Sequence, residues 1–132
     1  MKKEDINMSI STELGVIYNN FVASRVKAGE DIRVAIRAID CHYLHMLIGL
    51  SGEVGELQDA FKKHVIYDKK LDIGNVIEEL GDIEFYLEGL RQSIGVTRAE
   101  VLTANINKLE KRYAAGKYSN TEAVARADKQ ED

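Results

Sequence analysis

Two pairs of acidic residues share one spacing. Glu53-Val-Gly-Glu56 and Glu79-Leu-Gly-Asp82 each place carboxylates at i and i+3, on one face of a helix and within reach of a shared ligand. Spacing alone discriminates little, because 22 acidic residues among 132 generate roughly three or four such pairs by chance. Placement says more. At about 100° per residue, Glu53 lies about 100° and Glu56 about 160° to one side of Val54, and Glu79 and Asp82 take about the same angles from Leu80. Val54 and Leu80 centre the apolar stripes of their segments, so two helices packed by those stripes would present matched acidic flanks. Gly49, Gly52 and Ala60 accompany the first pair, and Asn75, Tyr86 and Gly89 the second, leaving room for a ligand. A glycine inside a helix costs about 1 kcal/mol relative to alanine, and a merely solvated helix has little reason to carry Gly49, Gly52 and Gly55 together.

Four converging carboxylates repel one another unless a cation neutralises them. All-oxygen ligation suits Mg2+ or Mn2+, and Mg2+ completes its shell with waters and substrate phosphates, which points to phosphate chemistry. The competing interpretation is a set of solvated acids on amphipathic helices. Asn105, Lys108 and Arg112 fall on one face of a later segment at i, i+3 and i+7. Opposite the carboxylates they would hold phosphate oxygens; alone they are a charged, solvated face. Lys62, Lys63 and His64 either reach a triphosphate or complement a helix carboxyl end. GLSGEVGE is not a phosphate loop, since it lacks the GK[ST] ending and a preceding strand.

The elements that must position these residues are helices. The chain contains no proline, and its apolar residues recur at threes and fours. A first helix is expected from Ser11 or Thr12, as cap, to about Ala28 before Gly29, followed by a short piece over about 31–39. A long second helix over about 41–67 carries Leu47, Leu50, Val54, Leu57, Phe61 and Val65 as its apolar stripe, and Asp68-Lys69-Lys70 makes a turn. Asp72 caps a third helix from Ile73, with Val76, Ile77, Leu80, Ile83, Leu87, Leu90 and Ile94 inward and Gly95 as its stop. Thr97-Arg98-Ala99-Glu100 is a capping-box pattern that starts a fourth helix over about 98–113. The expected fold is an all-α bundle of four main helices. Residues 1–118 are expected to form the domain, and 119–132 a polar, mobile tail.

Composition supports one domain of ordinary size. A net charge of −4 argues against a nucleic-acid surface, which needs a basic face. No stretch approaches the roughly 18 apolar residues of a membrane span. With Cys41 as the only cysteine, neither an intrachain disulfide nor a cysteine zinc site can form, and a reducing cytoplasm is the expected compartment.

From about Tyr18 to Ser119 the sequence resembles the MazG family of the all-α NTP pyrophosphatase superfamily. The resemblance runs through GLSGEVGELQDAFKKH, IEELGDIEFYLEGL, ANINKLEKRY and GKYS in order. The superfamily's acidic signature, ExxE followed by ExxD, falls here on Glu53, Glu56, Glu79 and Asp82. The resemblance implies that these acids bind two or three Mg2+ ions and that a nucleoside triphosphate is cleaved between its α- and β-phosphates. It also implies that the face of Asn105, Lys108 and Arg112 contacts phosphate. Lys63, about two turns beyond Glu56, is a further candidate by position alone. Tyr86 is implied to lie near the sugar or base. His42 and His45, at i and i+3, offer a further base contact or else are partly buried structural histidines. Assembly as a homodimer or homotetramer around four-helix modules is implied too. Glu84 departs from the pattern, standing where the family commonly has an aliphatic residue.

Glu53 and Glu56 are the candidates for activating the attacking water. Among possible bases, dGTP, dCTP, dUTP and noncanonical nucleotides stay open. A noncatalytic helical interaction module is the alternative; a di-iron carboxylate site is disfavoured because no ExxH motif accompanies the acids.

Overall fold

The computed structural model describes the backbone of residues 3–129 and the side chains of 12–129. Every regular element among them is helical, making the fold all-α: α1 (Lys3–Ala23), α2 (Gly29–Ala35), α3 (Ala38–Val65), α4 (Ile73–Ile94), α5 (Arg98–Arg112) and α6 (Asn120–Ala125), then a 3-10 turn at Ala127–Lys129. Met1–Arg37 and Ala38–Asp132 are two compact units.

In the first unit, α1 begins earlier and ends earlier than its sequence suggests. Backbone helix extends to Lys3, so neither Ser11 nor Thr12 starts it. It stops at Ala23 because the Ser24 hydroxyl and the Arg25 guanidinium both donate to the Phe21 carbonyl, drawing it away from helical pairing. The Arg25 guanidinium also lies over the Phe21 ring, 3.7 Å from its centroid. The following short helix covers Gly29–Ala35 rather than 31–39, and Ile36 is extended.

The second unit is built on the antiparallel pair α3 and α4. The α3 end is closed by the Lys69 amide donating to the Lys63 carbonyl at 3.2 Å. Asp68 takes the left-handed conformation there (φ 52°), the place usually held by glycine. His64 Nδ1 donates to the Lys69 carbonyl at 2.8 Å, which fixes its tautomer because a carbonyl can only accept. Asp72 caps α4 by accepting from the Asn75 amide, and Gly95 (φ 69°) terminates it. Thr97 and Glu100 form the reciprocal capping box of α5, the Thr97 amide donating to Glu100 at 2.7 Å. The boundaries of α4 and α5 are those the local sequence predicts, whereas α3 starts and ends earlier than the expected 41–67.

The packing of α3 on α4 departs from expectation. Met46, Ala60 and Val76 are buried, whereas Val54 and Leu80, expected at the centre of the contact, are 38% and 48% exposed. The line of contact is instead rotated by about 100° onto Glu53 and Glu79. Small residues explain the shift. A Cβ at Gly49 would overlap the Tyr86 ring and one at Gly89 would overlap Met46 Sδ, so these glycines admit the closest approach. The displaced stripe, including Leu47, Val54, Phe61, Ile73 and Leu80, is left exposed on one side of the hairpin. Glu84 pairs with Arg91 on α4 and with Arg98 at the start of α5, at 3.5 and 3.3 Å.

Beyond α5 the chain turns at Gly116 (φ 72°). Ser119 caps α6 by accepting from the Glu122 amide. Both α6 and the 3-10 turn pack on α5. The last residues of the polar tail, 130–132, lie outside the described residues.

Candidate active site

The contact between α3 and α4 brings Glu79 to Glu53 and Glu56, across 26 positions of sequence from Glu53, while Asp82 stands outside this close group. Carboxylate oxygens of Glu53, Glu56 and Glu79 all lie within 4.8 Å of one another. Asp82, one turn along α4 and exposed, adds its charge to the group felt by Glu79. Glu79 is 7% exposed. Its pKa is raised, first by desolvation and then by the charge of Glu56, a hydrogen bond with Glu53 and the charges of Glu53 and Asp82. Burial disfavours its ionised form, and three neighbouring acids add to that penalty.

The donor set is entirely oxygen, and three of its oxygens lie close enough to one another to hold a hard divalent cation.

On one side of the acids, an open groove of about 220 Å3 is bordered by Glu56, Asp59, Lys63, Asn75 and Glu79. Its floor includes Gly52 and Gly55, where an added Cβ would meet nothing within 4 Å. Lys63 Nζ stands 2.7 Å from Asp59 Oδ2. Toward the start of α3, the Tyr86 ring covers Gly49 and is approached edge-on by His45, with centroids 6.3 Å apart, and by Phe85 at 5.3 Å. His42 is exposed and joins none of these ring contacts among the described residues.

The basic stripe of α5 is elsewhere. Asn105 and Lys108 line a separate groove with Val101, Leu102 and Ala104. Arg112 is engaged by the C-terminal segment: its Nε and Nη2 donate to the two carboxylate oxygens of Asp128 at 2.6 and 2.8 Å. The Asp128 side chain is 1% exposed, and the guanidinium beside it lowers its pKa to about 2. Thus Lys63 shares a groove with Glu56 and Glu79, while Asn105, Lys108 and Arg112 do not.

The model of the MazG nucleotide pyrophosphohydrolase domain matches residues 42–116, more than half of the chain. The chain belongs to this family. The matched MazG domain spans α3, α4 and α5, and so contains the acidic cluster, its groove and the basic stripe. Searches among curated proteins and among solved structures returned no match. Membership in the MazG family makes nucleotide pyrophosphate hydrolysis the general activity to which the site is referred. Among the described residues, no helix is long and apolar enough to cross a membrane.

Asp59 and Asn75 line the groove beside Glu56 and Glu79 although neither belongs to the acidic or basic motifs. The signal for Asp59 was present, since it continues the i, i+3 series of Glu53 and Glu56 and stands four residues before Lys63.

Proposed function

We propose that the protein is a cation-dependent nucleoside triphosphate pyrophosphohydrolase, converting a (d)NTP and water to the (d)NMP and pyrophosphate by cleavage between the α- and β-phosphates. The observation that carries this reading is the convergence of Glu53, Glu56 and Glu79 within 4.8 Å, inside a MazG domain.

Glu53, Glu56, Glu79 and Asp82 would hold Mg2+ or Mn2+. When bound, the cations supply charge neutralisation at the phosphates and acidify water. Glu79 and Asp82 are ligands, and the burial of Glu79 fixes its carboxylate before substrate arrives. Glu53, with a carboxylate oxygen within 4.8 Å of those of Glu56 and Glu79, would complete the same set. Glu56 is exposed and borders the groove, so it is the better placed to take a proton from the attacking water. Tyr86 and His45 would pack against the nucleoside. Base choice among dGTP, dCTP, dUTP and noncanonical nucleotides then falls to this aromatic end.

The site also implies assembly. Leu47, Val54, Phe61, Ile73 and Leu80 leave an apolar side on the α3–α4 hairpin, and covering it with a second hairpin makes a four-helix module. A homodimer or homotetramer built this way would let Asn105 and Lys108 face phosphates held by a neighbouring copy, and Arg112 could join them only by releasing Asp128.

A nucleotide panel with Mg2+ or Mn2+, scored separately for monophosphate, pyrophosphate and phosphate, tests the proposal. Release of pyrophosphate with the monophosphate supports it. Absence of turnover with every nucleotide would make the chain a helical interaction module instead.

A further inference from the structure

We infer that Asn75 and Lys63, the latter held in place by Asp59, form the subsite for the departing pyrophosphate; this rests on the pyrophosphohydrolase reading. Asp59 is the positioning residue.

The α3–α4 contact is polar in the directional sense. His45, Phe85 and Tyr86 gather at one end, the acids occupy the middle, and the groove with Lys63 and Asn75 lies at the other end. A nucleoside triphosphate whose α–β bridge sits at the acids must send its nucleoside one way and its β- and γ-phosphates the other. Aromatic rings suit a base and sugar. An ammonium and a side-chain amide supply the donors that phosphate oxygens need. Charge and chemistry therefore orient the substrate with pyrophosphate toward Lys63.

Asp59 gives that lysine a direction. A lysine is a point charge on a flexible stem, and its ammonium carries three donors. Contact with Asp59 at 2.7 Å uses one donor and anchors the stem one turn back along α3, while Lys62 is a further 3.7 Å partner of the same carboxylate. Two donors stay available over the groove. Gly52 and Gly55 keep the intervening floor open, since neither position is crowded by a neighbour.

Product inhibition in Mg2+ buffer separates this subsite from the rest. Lys63→Ala should raise the pyrophosphate inhibition constant about tenfold, as expected for loss of a charge-assisted hydrogen bond. Asn75→Ala should raise it about fivefold, and the monophosphate constant should stay unchanged in both. Asp59→Ala should raise it about threefold, Asp59→Glu should restore it, and Asp59→Ala should add nothing in a Lys63→Ala background. Unchanged pyrophosphate inhibition, or equal shifts for both products, overturns the subsite. Calorimetry with Mg2+ and inorganic tripolyphosphate keeps the two readings distinguishable. If no nucleotide is hydrolysed but Lys63→Ala weakens tripolyphosphate binding, the pyrophosphohydrolase reading fails and the polyphosphate subsite stands. If hydrolysis proceeds and the inhibition constants do not move, the subsite alone fails. With neither turnover nor any effect on tripolyphosphate binding, both fall.

Discussion

The ring of Tyr86 lies so close over Gly49 that a Cβ at this position would overlap its atoms. Glycine is therefore a condition of the α3–α4 approach, and through it of the carboxylate cluster one turn away. Gly49→Ala should destabilise the fold by about 1–3 kcal/mol, the usual cost of forcing a packed contact apart. Gly89→Ala should cost less, because it meets the flexible Met46 thioether. Chemical denaturation of both variants measures the difference; equal stabilities would contradict the close contact.

Removing one carboxylate charge should stop turnover while leaving the fold intact. Glu56→Gln and Asp82→Asn are each expected to lower kcat at least about 100-fold, with unchanged circular dichroism. Both side chains are exposed, so neither substitution opens a cavity. Near-normal activity in either purified variant would refute the site.

The raised pKa of Glu79 makes a signed prediction about pH. A carboxyl that binds its proton more tightly in the folded state stabilises the protonated fold. That advantage is lost as pH rises from the ordinary value of 4.5 through the raised one. Without divalent cations, the wild type should thus lose stability relative to Glu79→Gln across this window. Mg2+ at neutral pH should narrow the gap by stabilising the wild type alone. Thermal unfolding of both proteins from about pH 4 to 8, with and without Mg2+, reads both effects. Parallel curves would remove Glu79 from the cation site.

An exposed apolar side requires a cover if the assembly proposal holds. Phe61 and Leu80 are 42% and 48% exposed on α3 and α4. Leu80→Asp, and separately Phe61→Asp, should shift the mass measured by light scattering from an oligomer to a monomer, because desolvating the introduced charge opposes association. A wild type that is already monomeric at high concentration would eliminate this face as a subunit contact.

A two-pronged ion pair between Arg112 and Asp128 ties the C-terminal segment to α5. Asp128→Asn should release it, so that trypsin cleaves after Arg126 faster than in the wild type while the α3–α4 hairpin stays protected. With the Asp128 pKa held near 2, the wild-type segment should keep its protection through mildly acidic pH. Identical digestion of the two proteins would show that the pair fastens nothing.

Much of the second unit was legible because its signals are local. Asp72, Gly95 and the Thr97–Glu100 box each act within four residues, and they place the ends of α4 and α5. The acidic cluster was legible through its spacing. Its setting was not, since apolar periodicity cannot distinguish a stripe buried within the chain from one left for another surface. Small residues decided that question, through contacts with Tyr86 and Met46 that no local pattern announces. Arg112 exposes the same limit from another side: its partner Asp128 is 16 residues away, past a turn and a short helix.

The oblique packing of α3 on α4 has a consequence for how such a molecule can vary. Glu56 and Asp82 stand about 160° around their helices from Val54 and Leu80, so the chemistry and the apolar side are turned away from each other. If copies join through the apolar side as proposed, changes at Val54, Phe61 or Leu80 would alter association while leaving the carboxylates in place, and changes along the groove would leave that side untouched. In the stability of one copy, substitutions drawn from the two sides should sum, whereas turnover should answer to both sides if a neighbouring copy supplies Asn105 and Lys108. The hairpin is in that sense a two-sided part, with its social life on one side and its trade on the other.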